Sequence, residues 1–207
     1  MDIDEYIEDH TEKEPKLLAD LRRATHLRML RPRMMSGNIQ GQFLKMLCQT
    51  TNAQNVLEIG TYTGYAAIAM AMGLSDGAKL YTIDINDEIE DFTQAYIEKS
   101  GLNKKISFYI GDALEIIPKL DLIFDLVFID ADKRHYIEYY NSVFDKVKHN
   151  GIIVADDVLW DGKVLDEDAK DAQTKGIKDF NNMVKDDDRV EKLILPLRHG
   201  LFLIRKK

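Results

Sequence analysis

The chain reads as an α/β protein built on a doubly wound parallel sheet, and three observations point that way. From residue 55 onward, short apolar runs alternate with amphipathic stretches, the pattern of strand–helix–strand units whose parallel strands are covered on both faces. The runs are bounded by glycine, aspartate and asparagine, as strand ends commonly are. Carboxylates also recur at the carboxyl end of one run after another, the edge where open α/β sheets bind ligands.

Residues 1–50 read as a helical N-terminal extension. Thr11 with Glu14 predicts a capping box, with Pro15 early in the following helix. Leu17, Leu18 and Leu21 fall at helical spacing, as do Ile39, Phe43, Leu44 and Leu47, with Pro32 and Gly37 interrupting between them. NVLEIG (55–60) is the first strand, followed by an Ala- and Met-rich helix to about residue 73. KLYTIDI (79–85) is the second, and Ile89, Phe92, Tyr96 and Ile97 mark the helix after it. KISFYIGD (105–112), FDLVFIDAD (124–132) and GIIVADD (151–157) are three further strands. A helix is expected over 172–185, then two strands within 190–206 joined at Arg198–Gly200. No repeat or linker divides the 207 residues, so residues 1–207 are expected to form one domain.

Lys and Arg total 28 against 36 Asp and Glu, a net charge of −8. That balance argues against a surface devoted to nucleic acid or an anionic membrane. The lone cysteine, Cys48, can form no intrachain disulfide, and its neighbours in FLKMLCQ predict a buried small hydrophobe. The first fourteen residues are acidic and lack the apolar core of a signal peptide. No apolar run approaches the ~20 residues that span a bilayer. A cytoplasmic protein without a membrane partner is expected.

Glu58 lies near the end of the first strand, Asp84 ends the second and Asp112 follows the third. Asp130 and Asp132 end the fourth, and Asp156 and Asp157 the fifth. The recurrence is too regular for a solvated charged face. The first turn, LEIGTYTGY, carries Gly60 and Gly64 but not the G-x-G-x-x-G of a dinucleotide site, and it has no lysine for a pyrophosphate. Glycine there lets backbone approach a ligand, and Asp84 is placed to accept from ribose hydroxyls. A ligand with adenosine toward Asp84 and Asp112 and an ammonium toward Glu58 fits, and S-adenosylmethionine (SAM) is such a ligand.

VLEIGTYTGY, YTIDIN, GDAL, FIDADKRHY and ADDVLWDGKV, in that order, resemble the cation-dependent O-methyltransferases, the family of caffeoyl-CoA and catechol O-methyltransferases. The likeness runs from MMSGNIQGQFL to the terminal LPLRHGLFLIRKK. It implies a Rossmann-like, seven-stranded methyltransferase sheet with helices on both faces and the last strand antiparallel. It implies SAM contacts at Met34, Ser36, Glu58, Gly60, Tyr62, Gly64, Asp84, Asp112, Ala113 and Asp130. Asp132 either touches SAM or supports a residue that does, and Tyr139 is a further candidate that core packing explains nearly as well. Ala66 stands where many relatives have serine.

The same resemblance implies a divalent cation on Asp130, Asp156 and Asp157. Hard oxygen ligands without His or Cys suit Mg²⁺, Mn²⁺ or Ca²⁺ rather than Zn²⁺. A cation also turns the repulsion of adjacent acids into attraction. Relatives usually carry asparagine where Asp157 stands; the extra carboxylate should tighten the metal while reducing the Lewis acidity left for substrate. Lys133 matches the family's proposed general base, and Trp160 a position that walls an aromatic acceptor.

The expected activity is methyl transfer from SAM to one hydroxyl of a vicinal diol on a catechol-like small molecule, by a homodimer. Some relatives methylate a hydroxylated uridine, so tRNA is the rival acceptor. Arg22, Arg23, Arg28, Arg31 and Arg33 would then meet phosphate, of RNA or of a CoA thioester; otherwise they form a solvated face or a dimer contact. A SAM-binding protein without catalysis is a third reading, opposed by retention of the three acids with Lys133. His135 and His199 are given no role.

Overall fold

Alternate residues of the central strands are buried on opposite sides of one sheet, and this two-sided demand organises the chain. The computed structural model describes residues 2–207. The strands are β1 (Asn55–Ile59), β2 (Lys79–Asp84), β3 (Ile106–Ile110), β4 (Phe124–Ile129), β5 (Val147–Ala155), β6 (Val190–Leu195) and β7 (Leu201–Lys206). They form a seven-stranded sheet in the order β3-β2-β1-β4-β5-β7-β6. β1 to β5 run parallel, and β7 lies antiparallel between β5 and β6. The helices are α1 (Ile3–Asp9), α2 (Lys16–Arg28), α3 (Asn38–Thr50), α4 (Tyr65–Gly73), α5 (Glu90–Lys99), α6 (Ala113–Ile116), α7 (Tyr136–Phe144) and α8 (Ala172–Asp186).

Leu126 and Phe128 of β4 pack with Leu21 of α2, Leu44 of α3 and Ile68 of α4. Val127 and Ile129 face the other layer, with Tyr140 of α7 and Phe180 of α8. Each fully buried aliphatic side chain contributes about 1.5–3 kcal/mol. A one-residue slip would exchange the two faces, so register is strongly specified. Cys48 is buried, as expected. Among the described residues no helix is long and apolar enough to cross a membrane.

The strands expected from residue 55 onward all form. One local expectation fails: Thr11 and Glu14 make no capping box. The box that does form is Asp2 with Glu5, at the start of α1. Glu14 instead accepts from the Tyr65 hydroxyl at 2.6 Å and from Arg22 at 2.8 Å, and α2 begins after Pro15. A largely buried phenol requires an acceptor, and that long-range demand outweighs the local cap.

The strand order reverses between β1 and β4, so the chain leaves their carboxyl ends toward opposite layers and opens a crevice between them. At the far end, Asp125 ties the same strands together. It accepts from the N–H groups of Gln54 (2.8 Å) and Asn55 (2.7 Å) and pairs with Lys148. Burial opposes its charge, yet Lys148 and the two N–H groups outweigh burial and hold its pKa below the usual value. A depressed pKa adds stability that is fully present above the unfolded value near ~3.9 and is lost as pH falls through the folded one. Asp125→Ala is expected to cost roughly 1–3 kcal/mol in urea unfolding at pH 7, because two N–H groups lose their acceptor. The gap from the unmodified chain should narrow below about pH 4; equal midpoints at pH 7 would refute the pin.

Candidate active site

The first half of the site is the turn from β1 into α4. Gly60 has φ of +101°, and a Cβ there would lie 2.0 Å from the Asp130 carbonyl oxygen. The ends of β1 and β4 can therefore touch only through glycine. Asp130 N–H donates to the Ile59 carbonyl at 2.8 Å, closing the junction. Gly64, also left-handed, caps α4. Tyr62 N–H donates to Asp84 Oδ2 at 2.6 Å and Asn86 N–H to Oδ1 at 2.9 Å, which fixes the Asp84 carboxylate. Met34, Ser36, Gly60, Tyr62, Ala66 and Asp130 line a cleft above this turn.

Glu58 is fully buried. Thr82 donates to its Oε2 and Thr61 to Thr82, while Oε1 has no partner among the described residues. Burial pushes its pKa well up; the Thr82 bond opposes that, and Asp130 and Asp84 add to it. An orphaned buried acceptor is costly unless a ligand completes it, and this one suits a cationic group.

The second half gathers the acids. Successive residues of an extended strand point to opposite faces, so Asp156 and Asp157 would diverge if β5 simply continued. Asp157 instead adopts φ of +59°, a left-handed conformation that Asp and Asn tolerate better than most residues. Carboxylate oxygens of Asp130, Asp156 and Asp157 thereby come within 4.8 Å of one another. Asp156 is buried; its Oδ2 accepts from Gln40 Nε2 and its Oδ1 from Asp157 N–H, both at 2.7 Å. Burial, reinforced by Asp130 and Asp157, pushes its pKa up to about 7.

Lys133 is 6% exposed, so it does not snorkel to solvent. Its Nζ lies 2.8 Å from Asp130 and 3.0 Å from Asp157, and donates to the Tyr136 hydroxyl at 2.7 Å. Tyr136 in turn donates to the Asp156 carbonyl at 3.0 Å. Burial works to lower the Lys133 pKa, but the surrounding acids and Tyr136 outweigh it and hold the ammonium form. The hard-oxygen set fits a divalent cation, with Lys133 as the competing positive charge.

The other expected residues take varied places. Met34 is exposed and Ser36 buried. Asp112 caps α6 through Leu114 N–H at 2.8 Å, beside buried Ala113. Both Asp132 oxygens are engaged by Arg134. Tyr139 is mostly buried, and burial, then Asp132 and Asp112, push its pKa up to about 12. Trp160 is half-buried in left-handed backbone, its indole N–H without a partner among the described residues. Thr82, Tyr136, Gln40 and Arg198 escaped the sequence reading. Gln40 left a trace, as a polar residue on the stripe Leu44–Cys48 that α3 buries.

A doubly wound sheet closed by an antiparallel hairpin, with helices on both faces, is the Rossmann-like fold of the class I SAM-dependent methyltransferases. A family model described as O-methyltransferase matches residues 8–207. Caffeoyl-CoA O-methyltransferase of Petroselinum crispum is 36% identical over 207 aligned residues, covering 94% of this chain and 85% of the relative. Caffeoyl-CoA O-methyltransferase 2 of Eucalyptus globulus is 37% identical, with 94% and 83% covered. Among solved structures, the O-methyltransferase of Bacillus cereus in complex with SAH superposes with a TM-score of 0.92 at 28% identity, covering 99% of this chain and 97% of that one. The O-methyltransferase TomG of Streptomyces achromogenes in complex with SAM gives 0.90 at 27%, covering 99% and 96%. The chain belongs to the SAM-dependent O-methyltransferase family.

Gly60→Ala must force the β1 and β4 ends apart as well as strain the backbone, and is expected to cost about 3 kcal/mol. Calorimetry checks this; an unchanged melting temperature would remove Gly60 as the junction between the strands.

Proposed function

We propose that this chain transfers the methyl group of SAM to one hydroxyl of a metal-chelated vicinal diol on a catechol-like small molecule, with a divalent cation required. The observation that carries the reading is the Asp130–Asp156–Asp157 cluster, its carboxylate oxygens within 4.8 Å of one another, sharing Asp130 with the cleft of Gly60 and Ser36. SAM would supply the methyl group, and a cation held by the three aspartates would supply Lewis acidity that eases deprotonation of a chelating hydroxyl.

The residues divide the remaining work. Glu58 Oε1 would accept from the ammonium of the bound ligand, and Asp84 keeps lone pairs for ribose hydroxyls while two N–H groups hold it still. Positioning of this kind is a large share of catalysis in a two-substrate transfer. Lys133 would hold the acceptor's proton. With Asp130 and Asp157 engaged in holding a cation, their upward pull on Lys133 would weaken, and burial, the largest influence, would favour its neutral form. Trp160 would wall the aromatic ring of the acceptor. Asp157, in place of the usual asparagine, would tighten the cation.

A homodimer belongs to this reading, and the exposed Ile3, Tyr6 and Ile7 of α1 support it. A tRNA acceptor is the second reading. Arg23, Arg28, Arg31 and Arg33 are exposed, and of the five arginines in the segment only Arg22 has an acidic partner among the described residues. RNA binding would weaken steeply with salt, whereas methylation of a small catechol would not.

Methyl transfer to a catechol panel should vanish with EDTA and return with Mg²⁺ or Mn²⁺, and Asp156→Ala should lower it at least about a hundredfold. Transfer undiminished by EDTA would overturn the cation requirement. Glu58→Gln should weaken S-adenosylhomocysteine binding about tenfold in calorimetry, by loss of a charged acceptor. The same variant should melt no lower than the unmodified chain at pH 7, since the cost of burying an ionisable acid has gone. Unchanged affinity would remove Glu58 from the binding site.

A further inference from the structure

The guanidinium of Arg198, in the turn between β6 and β7, meets residues 33–40 from far along the chain. Its Nη1 donates to the Ser36 carbonyl at 2.7 Å and to Gln40 Oε1 at 3.0 Å, and its Nη2 to the Arg33 carbonyl at 3.2 Å. Gln40 is fully buried, and because its oxygen accepts from Arg198, its amide nitrogen is the atom turned to Asp156 Oδ2, at 2.7 Å. The same turn is bound to the loop after β5. Val158 N–H donates to the Gly200 carbonyl at 3.1 Å and Leu159 N–H to the His199 carbonyl at 2.8 Å. A Cβ on Gly200 would lie 2.4 Å from Leu159 Cγ, so the approach is as close as a glycine permits.

The turn therefore bridges the two halves of the site. On one side is the 31–37 segment, with Met34 and Ser36 on the cleft; on the other are Asp156, Asp157 and Trp160. Arginine suits the task, because its planar fork presents several donors at once in a fixed geometry, which a lysine ammonium does not. Glutamine suits the relay for another reason. A neutral amide orients the Asp156 carboxylate without cancelling the charge a cation needs.

We propose that Arg198 is a positioning residue, a clamp that aims Asp156 through Gln40 and holds the 31–37 segment through the Arg33 and Ser36 carbonyls, so that filling either half of the site favours the other. The proposal rests on the reading of Asp156 as a cation ligand and of the 31–37 segment as part of the cofactor cleft. Coupling of this kind is reciprocal: a cofactor that steadies the segment must tighten the cation by the same factor with which the cation tightens the cofactor.

The test uses the full chain and the variants Arg198→Ala, Arg198→Lys and Gln40→Leu. Three quantities are read without turnover: amide hydrogen exchange over 31–40, Mn²⁺ affinity, and Mn²⁺ affinity with saturating S-adenosylhomocysteine. In Arg198→Ala, exchange over 31–37 should rise about tenfold. Mn²⁺ should bind about five- to tenfold more weakly, and the effect of S-adenosylhomocysteine on it should disappear. Arg198→Lys should recover part of each, since one ammonium reaches fewer acceptors. Gln40→Leu should weaken Mn²⁺ by a similar factor while leaving exchange at 33–36 close to that of the unmodified chain. Native exchange and native coupling in Arg198→Ala would overturn the clamp, as would native Mn²⁺ affinity in Gln40→Leu. If the unmodified chain binds no Mn²⁺, the cation reading falls instead, and the Arg198→Ala exchange rates alone decide whether the segment is clamped.

Discussion

Everything at the carboxyl edge of this sheet is arranged around one electrostatic difficulty: three carboxylates held together in a mostly buried place. At 4 Å and an effective dielectric constant near 20, two like charges repel by about 4 kcal/mol. The chain answers with its own cation. Lys133 lies between Asp130 and Asp157, at 2.8 and 3.0 Å, and Tyr136 links that ammonium to the carbonyl of Asp156. Asp156 has a neutral donor, Gln40, on one oxygen and the N–H of Asp157 on the other. The local backbone serves the same end, since only the left-handed turn at Asp157 aims two consecutive side chains at one place.

Asp130 belongs to both halves of the site. Its carbonyl lies where a Cβ on Gly60 would fall, and its carboxylate takes the Lys133 ammonium. The strand order explains why one residue can do both. β1 and β4 are neighbours at the point where the strand order reverses, so the end of β4 borders the glycine turn on one side and the end of β5 on the other. Chemistry that needs a cofactor and an activated acceptor within bonding distance is served by halves that share a residue. The antiparallel β6–β7 hairpin adds to the economy of the fold: β7 completes the edge of β5, and the turn before it reaches back over the loop that carries Asp157.

Much of this was legible in the residues. Strand and helix periods are local, and the apolar runs at 55–60, 79–85 and 124–132 need no distant partner to be recognised. Strand ends are local too. Glu58, Asp84, Asp130, Asp156 and Asp157 could therefore be placed on one rim, and Gly60 at a close approach, before any contact was known. That both faces of the sheet are covered followed from the unbroken apolar runs of its parallel strands.

The pairings could not be read this way. Glu14 reads as part of a helix cap and is an acceptor for Tyr65; Gln40 shows only as a polar residue on a buried helical stripe and is the donor to Asp156. Lys133 could have lain along a surface and is instead sealed among acids. Periodicity records which face of an element is removed from water, because the direction of each side chain along a helix or strand is set by the local backbone. Which polar group then satisfies a buried carboxylate depends on what folding brings alongside it, and at Asp156 that partner comes from a helix 116 residues away.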